Sequence, residues 1–224
     1  MKHTLGVFHD RQQAGRELAE ELERYRDQEN TVIYGIPRGG LPVAYEVASA
    51  LHLPLDVYVV RKLGMPGHEE YAIGAIASGG VRVLNEEAIG NIFHASDIIE
   101  SVAEREQREL ERRESLYRGN RPLHDPRGKV VIVVDDGLAT GSTMRAAVAA
   151  LRQHGAAKIV VAVPVAPPET VAELEAEADE VICILEPENF MAVGQFYENF
   201  SQTTDEEVTE ILARADEEFG HRQE

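Results

Sequence analysis

The sequence predicts an α/β fold: an open, mostly parallel sheet with helices on both faces. Three observations carry this expectation. Val130–Val134 is an unbroken run of five β-branched residues without alternation, the pattern of a strand buried on both faces. Comparable apolar runs recur at 31–35, 55–60, 159–163 and 180–185, with helical patterns between most of them. Glycine-containing loops stand where strands hand over to helices, at Gly39-Gly40 and at Gly137–Gly141, as in right-handed βαβ units.

In chain order, Asp10–Arg26 reads as an amphipathic helix, with Ala14, Leu18, Ala19, Leu22 and Tyr25 near one face. Thr31–Gly35 is a short strand, and Leu41–Leu51 a helix with Pro42 in its first turn. Leu55–Val60 is a second buried strand. Residues 60–71, V-R-K-L-G-M-P-G-H-E-E-Y, read as a loop rich in glycine and proline that carries two adjacent cations. Ala72–Ala77 and Val81–Leu84 form a hairpin across Ser78-Gly79-Gly80. Ser96 and Asp97 are placed as an N-terminal cap for a helix at 97–118 dense in Glu and Arg. Its pairs Glu104–Arg108 and Glu109–Arg113 fall at i,i+4 and its apolar stripe is thin, so it reads as a long solvated helix. An oligomer contact or a lid is the alternative, and a homo-oligomer stays open. After Val130–Val134, an alanine-rich helix runs to about His154, with Gly155 as its stop. A strand at 159–163, a helix at 169–178 and a strand at 180–185 follow, then an irregular segment holding Phe190, Phe196, Tyr197 and Phe200. An acidic amphipathic helix closes the sequence from Asp205 to about Phe219.

The 224 residues suit one domain, taken as 1–224, with a sizeable core. A formal charge of −18 disfavours nucleic acid or an anionic membrane surface as the main partner. No apolar run approaches the roughly 18 residues of a membrane-spanning helix. The opening M-K-H-T-L-G-V-F-H-D lacks the long apolar core of a signal peptide, and Cys183 is the only cysteine. A cytoplasmic location is the expectation.

The chemistry concentrates where the central strand ends. Asp135 and Asp136 follow it at once, then Gly137-Leu-Ala-Thr-Gly-Ser-Thr143 and a helix. Side chains at the carboxyl end of a parallel strand face a crevice. Thr140, Ser142 and Thr143 offer hydroxyls, Gly137 and Gly141 admit close backbone approach, and the helix aims free N–H groups at the loop. This is a phosphate cradle without the Walker lysine. Two carboxylates repel phosphate, so they suit sugar hydroxyls, Mg²⁺ or both. A ribose 5-phosphate has that shape. Arg38, Gly39 and Gly40, at the end of another strand, add a bidentate cation and exposed N–H groups.

The string from Val130 to Thr143, an apolar strand, two acids and a loop ending in T-G-x-T, resembles the signature for phosphoribosyl pyrophosphate (PRPP) in type I phosphoribosyltransferases. The resemblance spans roughly residues 30 to 185. It implies a small hood at about 186–204 and a hairpin flexible loop, whose Arg61-Lys62 start is similar to that of adenine phosphoribosyltransferases. It also implies transfer of 5-phosphoribosyl from PRPP to a nitrogenous base, with Mg²⁺ and release of pyrophosphate. PRPP would be bound by Arg38, Gly39, Gly40, Asp135, Asp136, Gly137, Ala139, Thr140, Gly141, Ser142 and Thr143. Asp135 and Asp136 would meet the metal indirectly, through ribose hydroxyls or water, and with Arg61 and Lys62 they form the catalytic set. Members acting on 6-oxopurines carry an acid where this sequence has Ala139, which disfavours such an acceptor. A PRPP- or nucleotide-sensing module of the same fold is the alternative.

Overall fold

The computed structural model describes residues 7–90 and 95–219; the side chains of 69–71, 86–87, 95–96 and 98 lie outside that description. The order is α1 (Arg11–Glu21), β1 (Thr31–Gly35), α2 (Gly40–Leu51), β2 (Leu55–Val57), β3 (Val60–Met65), β4 (His68–Ala77), β5 (Val81–Leu84), α3 (Glu86–Ile89), α4 (Ala95–Arg118), β6 (Val130–Val134), α5 (Ser142–Gln153), β7 (Lys158–Val165), α6 (Pro168–Glu175), β8 (Glu180–Leu185) and α7 (Asp205–Phe219).

Five strands form a parallel sheet in the order β2-β1-β6-β7-β8. Side-chain alternation splits the core into two layers. Ile33, Ile132 and Val134 pack with α1, α2 and α7 on one face. Val32, Tyr34, Val131 and Val133 pack with α5 and α6 on the other. The order of the strands reverses between β1 and β6, whose register runs from Thr31↔Val130 to Gly35↔Val134. Their carboxyl ends therefore lie side by side at a topological switch point, where open α/β sheets bind ligands. Asp10 caps α1 by accepting from the Gln13 N–H at 2.8 Å.

Three expectations change. The segment read as a loop at 60–71 is largely strand: β3 and β4 pair antiparallel, and with β5 they make a second, three-stranded sheet. The Pro66-Gly67 step supplies the turn, with Gly67 at φ 78°. Leu63, Ile73 and Ile76 are buried, which is why the segment is held as a ribbon. The run read as one strand at 55–60 divides, Leu55–Val57 joining the parallel sheet and Val60 opening the ribbon.

The third change concerns α4. It is not a solvated helix. It lies on the ribbon and on α7, burying Ile99, Val102, Ala103, Leu110 and Tyr117. Its first turn contains Asp97, so that residue does not cap the helix; the Ser96 side chain is outside the described residues. The Glu109–Arg113 pair forms at 2.8 Å, whereas Arg108 donates to the Glu104 carbonyl at 3.2 Å.

The end of α4 is fixed by a buried arginine. The Arg118 Nε donates to Asp56 Oδ1 at 2.8 Å and its Nη1 to Glu114 at 2.8 Å. The other Asp56 oxygen accepts from the His124 N–H at 3.0 Å. Arg118 and Asp56 are 7% and 4% exposed, so losing Asp56 leaves a buried guanidinium with Glu114 as the one carboxylate described against it and the His124 N–H without its acceptor. Asp56→Ala is therefore expected to cost about 3–5 kcal/mol of unfolding free energy. Denaturant titration checks this, and a loss below about 0.5 kcal/mol, as at an ordinary surface position, would contradict the role given to the pair.

Candidate functional site

Two loops meet at the switch point. The first, Ile36–Gly39 after β1, is held by the Ile36 N–H donating to the Val134 carbonyl at 2.9 Å and the Gly40 N–H to the Ile36 carbonyl at 3.0 Å. The second runs from Asp135 to Gly141 after β6. They touch closely: a Cβ at Gly39 would sit 2.1 Å from Asp136 Oδ2, and one at Gly40 would sit 2.7 Å from the Val134 carbonyl oxygen. Only glycine permits this approach, so the Gly39-Gly40 pair is required by the fit of the two loops. Arg38 is a third exposed, its Nη1 4.0 Å from Asp205 Oδ1 at the start of α7.

The loop expected to cradle a phosphate, Gly137–Thr143, follows β6 and leads into α5. Gly141 precedes α5 at φ 66°, a left-handed conformation that glycine adopts without a Cβ penalty. Thr170 on α6 donates to the Ala139 carbonyl at 2.7 Å and fixes the loop from below. Thr140 and Ser142 are exposed, their hydroxyl oxygens 3.3 Å apart, and Thr143 lies half-buried in the first turn of α5. The Thr140 and Ser142 hydroxyls thus stand together at the N-terminal end of α5.

The acids are half-buried and unequal. Asp135 Oδ1 accepts from the Asp136 N–H at 2.8 Å. Burial, and then the adjacent Asp136 charge, push the Asp135 carboxyl well above the usual carboxylate range. Burial also raises Asp136, but Arg11 opposes it, its Nε donating to Asp136 Oδ2 at 2.8 Å. Nothing local in the sequence marks Arg11 or Tyr197, whose hydroxyl donates to the Asp136 carbonyl at 2.6 Å. Both come from remote parts of the chain.

Arg61 and Lys62 part company. Neighbours on a strand point to opposite faces. Arg61 turns to α4, its Nε and Nη2 donating to Glu106 Oε2 at 2.9 and 2.6 Å. Lys62 turns to α5, its Nζ donating to Ser142 Oγ at 3.3 Å. Lys62 thus meets the start of α5 at Ser142, and Arg61 ties the ribbon to α4. Of the hood aromatics, Phe196 and Tyr197 are buried with Phe8 and Val165, while Phe200 is 37% exposed.

The model of the phosphoribosyl transferase domain matches residues 7–201. The chain belongs to the phosphoribosyl transferase family. Two curated Mycobacterium tuberculosis proteins bearing provisional phosphoribosyl transferase names are each 46% identical to it over 213 residues, 95% of this chain and 48% of theirs. The chain thus spans about half the length of those relatives. Among solved structures, TT1426 from Thermus thermophilus is similar, with a TM-score of 0.84 and 44% identity over 93% of this chain and 98% of that one. Membership in the family agrees with the α/β sheet and with the loops at its switch point. No helix among the described residues is long and apolar enough to cross a membrane.

The acid pair makes a prediction about stability. The unfolded chain releases the Asp135 proton near the ordinary value of about 3.9, whereas the folded chain holds it to higher pH. Between those points the folded state binds more protons, so stability falls as pH rises through the window. Asp135→Asn keeps the acceptor for the Asp136 N–H and removes the repulsion. It is expected to raise stability at neutral pH by about 0.5–2 kcal/mol, the usual range for a stabilising substitution, and to flatten the fall. Thermal unfolding across pH measures both; a less stable variant with the wild-type slope would refute it.

Proposed function

We propose that this chain transfers the 5-phosphoribosyl group of PRPP to a nitrogenous base and releases pyrophosphate. The observation that carries the proposal is the meeting of three parts at one switch point: a hydroxyl-lined anion loop, a half-buried acid pair and the Arg38-Gly39-Gly40 loop packed on it. In this reading Thr140, Gly141, Ser142 and Thr143 hold the 5-phosphate, and Lys62 adds a cation to that end. Asp135 and Asp136 receive the ribose 2- and 3-hydroxyls. Arg38 and the Gly39 N–H group face the pyrophosphate, while Gly40, whose N–H is taken by the Ile36 carbonyl, lets the two loops close on each other.

The C1–O bond to pyrophosphate breaks with its electron pair on the leaving oxygen. A base nitrogen forms the new C1–N bond and gives its proton to water. The transition state resembles an oxocarbenium ion, so no side-chain nucleophile is needed and positioning and charge supply the rate. The residues fit Mg²⁺ held indirectly. Carboxylate oxygens suit a hard cation, but among the described residues no group of three or more His, Cys, Asp or Glu side chains could hold one alone. The remaining ligands would be water, sugar hydroxyls and pyrophosphate oxygens, and bound Mg²⁺ would neutralise charge on the leaving group. Ala139, exposed beside the acids, offers no carboxylate to a purine ring, which disfavours a 6-oxopurine acceptor.

The Arg61–Glu106 pair favours a second reading. That guanidinium is committed to α4 and not to a leaving group, as in a PRPP- or nucleotide-sensing module without turnover.

Pyrophosphate release from PRPP and Mg²⁺ with a panel of bases decides between them. Turnover with at least one base other than a 6-oxopurine is expected, and none with any base would favour the sensor. Where turnover is found, Lys62→Ala should lower kcat/KM roughly tenfold or more, the worth of one charged hydrogen bond to the phosphate. An unchanged rate would make Lys62 a bystander.

A further inference from the structure

Arg11 has a second set of contacts. Besides its bond to Asp136, its Nη1 donates to the Ser201 carbonyl at 2.7 Å, and its guanidinium carbon lies 4.0 Å over the Phe200 ring. The side chain is 10% exposed and Asp136 is 13% exposed, so the ion pair is shielded from water. The hood also meets the main chain of the same residue, the Tyr197 hydroxyl donating to the Asp136 carbonyl. Tyr197 packs 5.5 Å from Phe8 and 5.1 Å from Phe200. Backbone bonds join the two chain segments: the Phe8 N–H donates to the Phe196 carbonyl at 2.8 Å, and the Glu198 and Asn199 N–H groups donate to the Phe8 and His9 carbonyls at 2.8 and 2.9 Å. The start of α1 and the end of the hood thus form one unit, and Asp136 is its anchor.

We propose that Arg11 is a positioning residue: it orients the Asp136 carboxylate and latches hood residues 196–201 to it, so that occupancy of the acid pair and the state of the hood are coupled. Asp136 Oδ2 is already engaged by the guanidinium. A sugar hydroxyl or a hydrated cation arriving at Asp136 must share that oxygen or displace the arginine. Either shift acts on Ser201 and Phe200, which the same guanidinium holds. Phe200 keeps part of its ring exposed beneath this cation, so a shift of Arg11 changes how much of that face a planar ligand can reach. The coupling is reciprocal by linkage: a ligand that stacks on Phe200 alters affinity at the acids by the same factor. The ligand assignment rests on the PRPP reading above; the latch itself does not.

The test is hydrogen exchange on the full chain, free and with Mg²⁺ and PRPP, for wild type, Arg11→Lys, Arg11→Met and Asp136→Asn. In the free chain, Arg11→Met and Asp136→Asn should each speed exchange at 196–201 roughly tenfold or more, the worth of one charged hydrogen bond. The β1 and β6 amides should not change. Arg11→Lys should restore part of the protection, and a further variant combining Arg11→Met with Asp136→Asn should be no looser than Arg11→Met alone, since the ion pair is already broken there. Unchanged protection at 196–201, or loosening spread evenly over the whole chain, would overturn the latch. Titration with Mg²⁺ and PRPP should give roughly tenfold weaker binding to Arg11→Met than to wild type, partly recovered in Arg11→Lys; equal affinity would overturn the positioning role. If wild type binds no PRPP, the proposed function falls, and the exchange of the free chain still decides whether Arg11 is a latch.

Discussion

Everything at this site depends on two adjacent, half-buried carboxylates. A buried charge is costly unless it is paired, and two of them side by side are costlier still. The surroundings of Asp135 and Asp136 read as answers to that problem. Gly39 comes so close to Asp136 that no side chain fits between them. The Asp136 N–H steadies Asp135, and Arg11 crosses from the first helix to neutralise Asp136. Acids perturbed in this way cluster at functional sites. The parallel pairing of β1 with β6 makes the arrangement possible, because it brings the ends of two strands distant in sequence to one crevice.

Much of the fold is legible in the sequence for a simple reason. Strands buried on both faces must be apolar nearly throughout, so Thr31–Gly35 and Val130–Val134 stand out to the residue. The phosphate loop is legible because its parts are contiguous: a strand, two acids, glycines and hydroxyls follow one another. The ribbon is less so. Glycine and proline at 64–67 suggest a loop, yet Leu63 and Ile73 find a core between α4 and the sheet, and tertiary burial decides. Helix α4 misleads in the same way, since a stripe of few apolar residues still buries Val102, Ala103, Leu110 and Tyr117 when it has the ribbon and α7 to pack on.

What the sequence cannot disclose is pairing at a distance. Arg61 and Lys62 look like one cationic unit, but a strand sends them to opposite sides, one to Glu106 and the other to Ser142. Arg11 lies 125 positions from the acid it neutralises. Its neighbours carry no hint of the contact, because an arginine in the first turn of an amphipathic helix is ordinarily solvated. Phe196 and Tyr197 likewise resemble candidates for stacking on a ligand, yet they are spent on the core, leaving Phe200 as the more open ring.

The most direct test of this picture is calorimetric titration of the chain with PRPP, with and without Mg²⁺. Acids beside an anion cradle should bind the sugar phosphate at one site, more tightly when Mg²⁺ screens the pyrophosphate. The expected result is saturable heat at a one-to-one ratio that sharpens with the metal. No heat in either condition would mean that the carboxylates and the loop serve the fold alone, and would contradict the central claim.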